Sequence, residues 1–368
     1  MNRELTNRLG HWLDCLFGCY SDKIKIIANV LVHDWRMSLP LYFDHSLVNV
    51  TDEEIKNFSV ELDDQSLNIV SVFIAMQRIV SAQDRWYPGF CFYNYEKLFS
   101  REQKQQRIRM RKIFSELRKK YIFPCLGPES ILFHHGLPFF PEAAIQYLAG
   151  GSFIDAGACY GDSTLIFSRF YKPARIYAFE PSKKNREVMK AMMTRFQVPE
   201  EIFEMIPFGL GEKREQLVFC EQEGKSSFGI RERGTGIMVD ILPLDDYAKE
   251  HQLTNVRLVK ADLEGMGLSM LKGAQQTIRK NRPILSLSIY HNRDELFEIY
   301  RTLRSWDLNY EFAIRSTAYP LAFSEITLLG YPAELNPGTV KWNPDKDVFN
   351  FLAESSKELM RTDKTAGA

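Results

Sequence analysis

The sequence predicts an α/β protein in which a parallel β-sheet, with helices on both faces, follows a mainly helical N-terminal region. From Gly151 onward, short strand-like apolar runs alternate with segments of helical spacing, which is typical of a parallel sheet. Before about Cys125, apolar residues recur mainly at helical intervals. A tight turn containing Gly157 and Gly161 joins the first strand of the second part to a helix.

The composition is that of an ordinary globular protein. The 368 residues are 45% hydrophobic and 13% aromatic, which suffices for two domains with buried cores. Lys plus Arg and Asp plus Glu each number 47, so no overall field favours nucleic acid or a membrane as partner. The sequence shows neither an apolar run of membrane-spanning length nor a signal peptide, and we therefore expect a cytoplasmic protein.

Residues 1–126 are predicted to form the mainly helical domain. Its helical segments are residues 8–16, 24–35 and 67–80. Between residues 97 and 120, Arg and Lys alternate with apolar residues, which indicates an amphipathic helix with a cationic face. That face is either simply solvated or a docking surface for an anionic saccharide carrier or phospholipid head groups, so peripheral membrane contact stays open.

Residues 127–150 contain helix-breaking Pro and Gly and are predicted to be a linker that covers the second domain. That domain spans residues 151–335, and residues 336–368 form a C-terminal tail. Its predicted strands are residues 153–156, 175–180, 203–208, 256–262, 283–290, 310–315 and 325–330. An additional hairpin is expected at residues 216–220 and 236–241, around a polar loop at residues 223–233.

The six cysteines do not indicate a zinc site, because none forms a Cys-x-x-Cys pair and no histidine stands at ligand spacing. We interpret them as reduced thiols. Cys159 lies in the glycine turn, where a small filler is favoured over a nucleophile.

Ligands of open parallel sheets bind at the carboxyl ends of the strands. Gly157 and Gly161 allow a sharp bend and a close ligand approach, and Asp155 stands where it could meet a ligand cation. Glu180, at the end of the second strand, can accept from both hydroxyls of a ribose. The residues predicted to bind a cofactor are Asp155, Gly157, Ala158, Gly161, Asp162, Ser163, Glu180, Pro181, Phe208, Gly209 and Asp262.

Four blocks of the sequence resemble class I S-adenosylmethionine (AdoMet) methyltransferases, in particular the FkbM family. They are Phe153-Ile-Asp-Ala-Gly-Ala-Cys-Tyr-Gly-Asp, Ala178-Phe-Glu-Pro-Ser, Leu258-Val-Lys-Ala-Asp-Leu-Glu-Gly and Leu287-Ser-Ile-Tyr-His, within residues 151–332. The resemblance implies a Rossmann-like, seven-stranded domain whose last strand returns antiparallel, and it implies AdoMet as cofactor. Carboxylates and aromatic faces suit the cationic sulfonium of AdoMet.

Methyl transfer to oxygen needs an in-line approach and removal of a hydroxyl proton. His291 is the first candidate for the catalytic base, with Asp262 and Glu264 as alternatives, because all three follow neighbouring strands. The alternative, which the sequence supports equally, is that His291 is a strand-end histidine that only bonds a backbone carbonyl. Asp262 and Glu264 have a structural alternative as caps of a helix that starts near Leu268.

Further positions qualify the resemblance. The family places a second glutamate two positions after Gly265, where this chain has Gly267. Asp245 and Asp246 match a Leu-Asp-Asp block of the family and are expected to face the site. A divalent metal between Asp246, Asp262 and Glu264 is conceivable, but solvated carboxylates are favoured and no metal site is predicted. For His134 and His135, just ahead of the sheet, a structural or exposed role is favoured.

The resemblance therefore predicts an AdoMet-dependent O-methyltransferase that acts on a hydroxyl of a saccharide, a glycan precursor or a natural product. Two alternatives stay open. An NAD-dependent oxidoreductase uses a similar glycine turn and acidic residue, although its usual Gly-x-Gly-x-x-Gly pattern is absent here. A catalytically silent scaffold with a methyltransferase fold is suggested by Gly267 and by the large N-terminal region.

Overall fold

The computed structural model describes residues 45–58, 60–81, 133–222, 225–228, 236–317, 325–343 and 354. The predicted helices at residues 8–16 and 24–35 and the basic segment at 97–120 lie outside these ranges. Among the residues described, no helix is long and apolar enough to span a membrane.

Helices in the described ranges flank a central sheet. They are α1 (His45–Val48), α2 (Asp52–Phe58), α3 (Asp64–Ser81), α4 (Glu142–Leu148), α5 (Asp162–Phe170), α6 (Lys183–Arg195), α7 (Leu244–Glu250), α8 (Gly267–Lys272), α9 (Gln275–Asn281) and α10 (Arg293–Ser305). Short 3-10 helices occur at His134–Phe139, Glu200–Ile202 and Ala333–Leu335.

The strands form two sheets. They are β1 (Ser152–Ala156), β2 (Arg175–Phe179), β3 (Phe203–Ile206), β4 (Gly209–Leu210), β5 (Glu215–Gln222), β6 (Lys225–Phe228), β7 (Gly236–Leu242), β8 (Val256–Ala261), β9 (Ile284–Ser288), β10 (Tyr310–Ser316) and β11 (Ile326–Pro332). Each predicted strand of the second domain is present, and the predicted bounds differ only at the ends.

The larger sheet has seven strands in the order β10-β11-β9-β8-β1-β2-β3. Strands β9, β8, β1, β2 and β3 pair in parallel. The last strand, β11, runs antiparallel to both β9 and β10. The seven-stranded Rossmann-like sheet with a returning antiparallel strand is therefore confirmed.

Helices cover both faces of this sheet, which explains why its central strands read as continuous apolar runs. One face packs against α7, α8, α9 and α10. The other packs against α4, α5 and α6. Phe153, Ile154 and Ala156 of β1 are fully buried between these two layers.

The smaller sheet corrects the predicted hairpin. Strands β5 and β7 pair antiparallel as expected, but β4 and β6 extend the pair to four strands in the order β4-β7-β5-β6. Residues 225–228, predicted to lie in a polar loop, form strand β6. Polar strands at a sheet edge lack the alternating apolar residues by which a strand is recognised in a sequence.

The described N-terminal helices pack on the central sheet. Phe58 of α2 contacts Phe297 and Tyr300 of α10, with ring centroids 5.1 and 5.3 Å away. Val70, Phe73 and Ile74 of α3 belong to the same buried cluster as the sheet. These helices thus share the core of the second domain, and the domain boundary at residue 126 stays a prediction.

Residues 133–141, here called the cover segment, pack on the opposite face. Phe133, Leu137 and Phe140 are buried against that face. Asn343 donates to the carbonyl oxygens of Pro138 and Phe140, at 3.1 and 2.6 Å. The start of the predicted tail is thus tied to the segment that precedes the sheet.

A buried arginine links α3 to the sheet. Arg315 of β10 is 1% exposed and donates to Asp63 Oδ1 and Ser66 Oγ, at 3.0 and 3.1 Å. Asp63 also accepts the Ser66 backbone N–H at 2.9 Å and so begins α3. Burial would raise the pKa of Asp63, but the guanidinium and the Ser66 hydrogen bonds hold it below its ordinary value.

We predict that Asp63→Asn lowers the free energy of unfolding by about 3 kcal/mol at neutral pH, because the buried guanidinium loses its counter-charge. The lowered pKa means that wild-type stability from this pair is present above the unfolded pKa and is lost as pH falls through the folded one. Urea unfolding measures both effects. The control is Glu298→Gln, which breaks the exposed pair with Arg301 and should cost less than about 1 kcal/mol. Equal losses would contradict the assignment.

Candidate active site

The glycine turn after β1 touches the end of β8. Gly157 has φ +76°, and a β-carbon there would lie 2.0 Å from the carbonyl oxygen of Asp262. The backbone N–H of Asp262 donates to the carbonyl of Ala156 at 3.0 Å, and those of Gly157 and Ala158 donate to Phe179 at 3.0 and 3.1 Å. Only glycine fits at position 157, so the turn brings the ends of β1, β2 and β8 together.

A buried ion pair supports the turn from beneath. Asp155 is fully buried, accepts from the hydroxyls of Ser163 and Thr164 at 2.6 and 2.7 Å, and lies 3.1 Å from Lys260 Nζ. Lys260 also donates to the carbonyl of Gly157 at 2.9 Å. Burial favours the neutral carboxyl, but the Lys260 charge and both hydroxyls hold the pKa of Asp155 below its ordinary value. Asp155 thus supports the turn, and its direct contact with a ligand cation stays a prediction.

Lys260 was not singled out from the sequence. Its signal is a lysine inside an otherwise apolar strand, where an ammonium group needs an anionic partner. Burial would lower the pKa of Lys260, but Asp155, Asp262 and Asp162 raise it above its ordinary value. The lysine is therefore charged, and it neutralises part of an acidic cluster.

Glu180 and Asp162 flank the turn. Glu180 is 4% exposed and accepts the backbone N–H groups of Cys159 and Ser182, at 2.9 and 2.8 Å. Burial raises the pKa of Glu180 to about 7. Burial likewise raises the pKa of Asp162, the first residue of α5, to about 6. Burial also raises the pKa of the Cys159 thiol, which agrees with its interpretation as a filler.

The remaining predicted cofactor residues lie at the same edge of the sheet. Ser163 is buried in the first turn of α5, and Pro181 is half-buried beside Glu180. Phe208 is half-buried against the core and Gly209 opens β4, just beyond the end of β3. Their contacts with a cofactor remain predictions.

Beyond β8 and β9, a histidine lies among carboxylates. His291 Nε2 is 3.2 Å from Asp262 Oδ1 and 4.0 Å from Glu264 Oε2, and Nδ1 is 2.7 Å from Glu295 Oε2. The hydroxyl of Tyr290 donates to Asp262 Oδ1 at 3.1 Å. The structure thus brings together the three residues predicted to be catalytic, and it adds Tyr290 and Glu295.

These carboxylates decide the charge of His291. Burial would lower its pKa, but Glu295, Asp262 and Glu264 together raise it well above the ordinary value. Conversely, the imidazolium keeps the pKa of Asp262 far below its usual range, against the effect of burial. The stabilising contribution of His291 is therefore complete below its unfolded pKa and is lost only as pH rises through the raised folded value. These surroundings therefore favour the protonated form of His291.

Each oxygen of the Glu295 carboxylate makes a hydrogen bond. Its Oε1 accepts the backbone N–H of Gly267 at 2.7 Å, while Oε2 bonds His291. Asn292 accepts the backbone N–H of Glu295 at 2.8 Å and so caps α10. With 1% exposure, Glu295 is a buried carboxylate near the predicted site. In the sequence it reads as an ordinary acidic residue in the first turn of a helix, which gave no functional signal.

The cover segment adds a pair of buried histidines, His134 and His135. His134 Nδ1 lies 2.8 Å from the hydroxyl of Tyr171. His135 is close enough to Lys260, Asp155 and Asp262 for their charges to act on its pKa, which burial lowers to about 3. Both histidines are buried, so of the predicted structural or exposed roles only the structural one is compatible with the fold.

The predicted helix-cap role of Asp262 and Glu264 is also wrong. Helix α8 follows Met266, which makes no side-chain cap, and the N–H of Gly267 donates to Glu295 rather than to Asp262 or Glu264. Instead, Glu264 has φ +50°, an uncommon backbone conformation for a residue other than glycine.

Asp245 and Asp246 face away from the site. Asp245 accepts the N–H groups of Gln276 and Thr277 at 2.9 and 2.7 Å and thereby begins α9, while Asp246 pairs with Arg214 at 2.8 Å. A metal site that includes Asp246 is thus not supported. No group of side chains arranged to hold a metal ion occurs in the described ranges.

The donor set at this edge fits AdoMet. Glu180 and Asp262 offer carboxylates, and Phe208 offers an aromatic face at the end of β3. Lys260 is 3% exposed and is bound to Asp155 and Gly157, so its charge lies beneath the turn.

A sheet of this order, with the glycine turn after its first strand and an acidic residue after its second, defines a class I AdoMet-dependent methyltransferase domain. Residues 155–312 match the family model of the Methyltransferase FkbM domain, which is somewhat less than half of the chain. No curated protein matches the chain.

Solved structures resemble parts of the chain. Methyltransferase FkbM from Methylobacillus flagellatus is 18% identical, with a TM-score of 0.49, over 75% of this chain and 57% of that one. An rRNA methylase from Streptococcus thermophilus is 10% identical, with a TM-score of 0.35, over 52% and 92%. An O-methyltransferase from Bacillus cereus, in complex with S-adenosylhomocysteine, is 11% identical, with a TM-score of 0.36, over 63% and 92%. The chain therefore spans little more than half of the Methylobacillus protein.

We predict that Gly157→Ala destabilises the protein by more than 3 kcal/mol, on the order of a severe core change, and abolishes S-adenosylhomocysteine binding. The added β-carbon cannot avoid the Asp262 carbonyl. Gly150→Ala is the matched control, because Gly150 has a similar φ of +74° but no atom within 4 Å of the added carbon. It should cost about 1 kcal/mol from backbone strain alone. Urea unfolding measures the stability of the two variants, and calorimetry measures their S-adenosylhomocysteine binding. Similar losses of stability and binding in both variants would mean that the close contact between Gly157 and the Asp262 carbonyl is unimportant.

We predict that S-adenosylhomocysteine affinity falls as pH drops below about 7, the raised pKa of Glu180. Ribose hydroxyls donate to the ionised carboxylate, so protonation removes an acceptor and the loss approaches about tenfold per pH unit. Glu180→Gln should bind weakly and lose this dependence. Calorimetry between pH 5.5 and 8.5 measures this dependence for both proteins. A pH-independent wild type would contradict the assignment.

Proposed function

We propose that this protein is an AdoMet-dependent O-methyltransferase that methylates a hydroxyl group of a saccharide or glycan precursor. The FkbM domain and its site support the methyltransferase step. The arrangement of Asp262, Glu264 and His291 beside the glycine turn is the observation that carries the choice of a hydroxyl acceptor, because oxygen methylation requires a proton acceptor near the cofactor. The saccharide acceptor follows from the FkbM resemblance.

In this proposal separate residues bind the cofactor and orient the catalytic carboxylates. Glu180 binds the ribose of the cofactor, while the glycine turn lets the cofactor approach the backbone. When bound, AdoMet supplies an electrophilic methyl group on a sulfonium. His291, whose surroundings favour its protonated form, orients Asp262 and Glu264 and offsets part of their repulsion.

A protonated imidazole cannot accept a further proton, which shifts the base role from His291 to a carboxylate. Asp262 is tied to His291 and Tyr290, and its pKa lies far below the range of an effective base. Glu264 lies farther from the imidazole, and its side chain is 33% exposed. We therefore assign Glu264 as the group that receives the acceptor hydroxyl proton, with Asp262 positioning the acceptor.

The two alternative functions are less well supported. The absence of the Gly-x-Gly-x-x-Gly pattern at the turn favours AdoMet over a dinucleotide. One of the two arguments for a silent scaffold is Gly267 in place of a glutamate, and the other is the large N-terminal region. The Glu295 carboxylate accepts the N–H of Gly267 at 2.7 Å, so a carboxylate is still present beside position 267. Cytoplasmic location and membrane contact through residues 97–120 remain sequence predictions.

We predict that Glu264→Gln lowers kcat by about a hundredfold or more while S-adenosylhomocysteine affinity stays within about twofold of the wild type. The assay incubates the full chain with AdoMet carrying a labelled methyl group and a panel of glycans, and it detects methylated product by mass spectrometry. Glu298→Gln, on the exposed side of α10, is the control with unchanged kcat. Retained turnover in Glu264→Gln would overturn the base assignment, and NADH binding in place of S-adenosylhomocysteine would overturn the function.

A further inference from the structure

The side chain of Glu295 occupies the space next to Gly267 that a side chain at position 267 would need. A β-carbon on Gly267 would lie 2.8 Å from Glu295 Oε1 and 3.2 Å from Ile299 Cδ1. Real β-carbons essentially never approach a heavy atom more closely than 3.0 Å, so a side chain at 267 displaces the Glu295 carboxylate. The glycine at 267 is therefore coupled to the glutamate at 295.

The Glu295 carboxylate bridges two elements of the site. One oxygen accepts the N–H of Gly267 at the start of α8, and the other lies 2.7 Å from His291 Nδ1. The opposite nitrogen of His291 faces Asp262 and Glu264. Glu295 thus fixes the imidazole ring through Nδ1, and Nε2 on the opposite side is directed at Asp262 and Glu264.

We propose that Glu295 is the positioning residue of this site: from α10 its carboxylate occupies the space that a side chain at position 267 of α8 would take, and it holds His291 against Asp262 and Glu264. The inference deepens the proposed function and rests on it for the effect on turnover. The geometry of the Gly267–Glu295–His291 contact stands independently of that function.

Burial supports a role beyond ordinary helix capping. Glu295 is 1% exposed, and its backbone N–H is already capped by Asn292. A buried carboxylate is costly unless it is paired and hydrogen-bonded, and both oxygens of Glu295 are used in this way. Among the described residues, the charged groups that raise the pKa of His291 are Glu295 on α10 and Asp262 and Glu264 after β8. Glu295 approaches Nδ1, at 2.7 Å.

The first test is a histidine NMR titration of the full chain, with His291 assigned through His291→Gln. In the wild type, His291 should stay protonated across the neutral range. In Glu295→Gln, which keeps the shape of the side chain but removes its charge, His291 should titrate within that range. Glu298→Gln, on the same helix, should leave the titration unchanged. An unchanged titration in Glu295→Gln would overturn the proposal, whether or not an acceptor has been identified.

The second test moves the carboxylate. Glu295→Ala opens the space next to Gly267, and Glu295→Ala combined with Gly267→Glu returns a carboxylate to it from α8. We expect Glu295→Ala to lower kcat by about a hundredfold with little change in S-adenosylhomocysteine affinity, as for other displaced catalytic groups. The kcat of the double variant should be at least about tenfold higher than that of Glu295→Ala, and its His291 titration should match the wild type. A double variant no better than Glu295→Ala in either measurement would refute the relocation.

Failure of the proposed function has a different signature. If no glycan is methylated but His291 titrates as expected in wild type and Glu295→Gln, the positioning role holds and the acceptor class is wrong. If wild-type turnover is found and Glu295→Gln changes neither kcat nor the titration, the acceptor class holds and the positioning role is wrong.

Discussion

The ion pair between Asp155 and Lys260 is the interaction on which the site depends. The two residues are register partners on the adjacent central strands β1 and β8, and both are buried. Each charge is tolerable only because the other is present, together with the hydroxyls of Ser163 and Thr164. The pair also reaches the Gly157 carbonyl, and so it joins the sheet to the turn that approaches the cofactor.

The fold was predictable because its signals are local. Apolar strands covered on both faces, and turns that need glycine, are visible residue by residue along the chain. The ends of the strands also located the site, because parallel strands deliver their carboxyl ends to one edge. Asp262, Glu264 and His291 were grouped correctly for this reason, although they come from two different strands.

What the sequence could not supply were contacts between distant residues. Glu295 reads as a first-turn helix residue, and its importance arises only from packing against Gly267. Asp245 and Asp246 matched a family block, yet they start a helix and form a surface ion pair. The role of His291 depended on its charge, which three surrounding carboxylates set together. Protonation depends on the whole surroundings of a group, and a motif names only part of them.

The clamp between Asn343 and the cover segment bears on how the chain folds during synthesis. Its three hydrogen bonds join Asn343 to the carbonyl groups of Phe139, Pro138 and Phe140, about two hundred residues earlier. The ribosome releases residues 133–141 long before residue 343. The cover segment therefore gains these three hydrogen bonds only after the described strands of the larger sheet have been made.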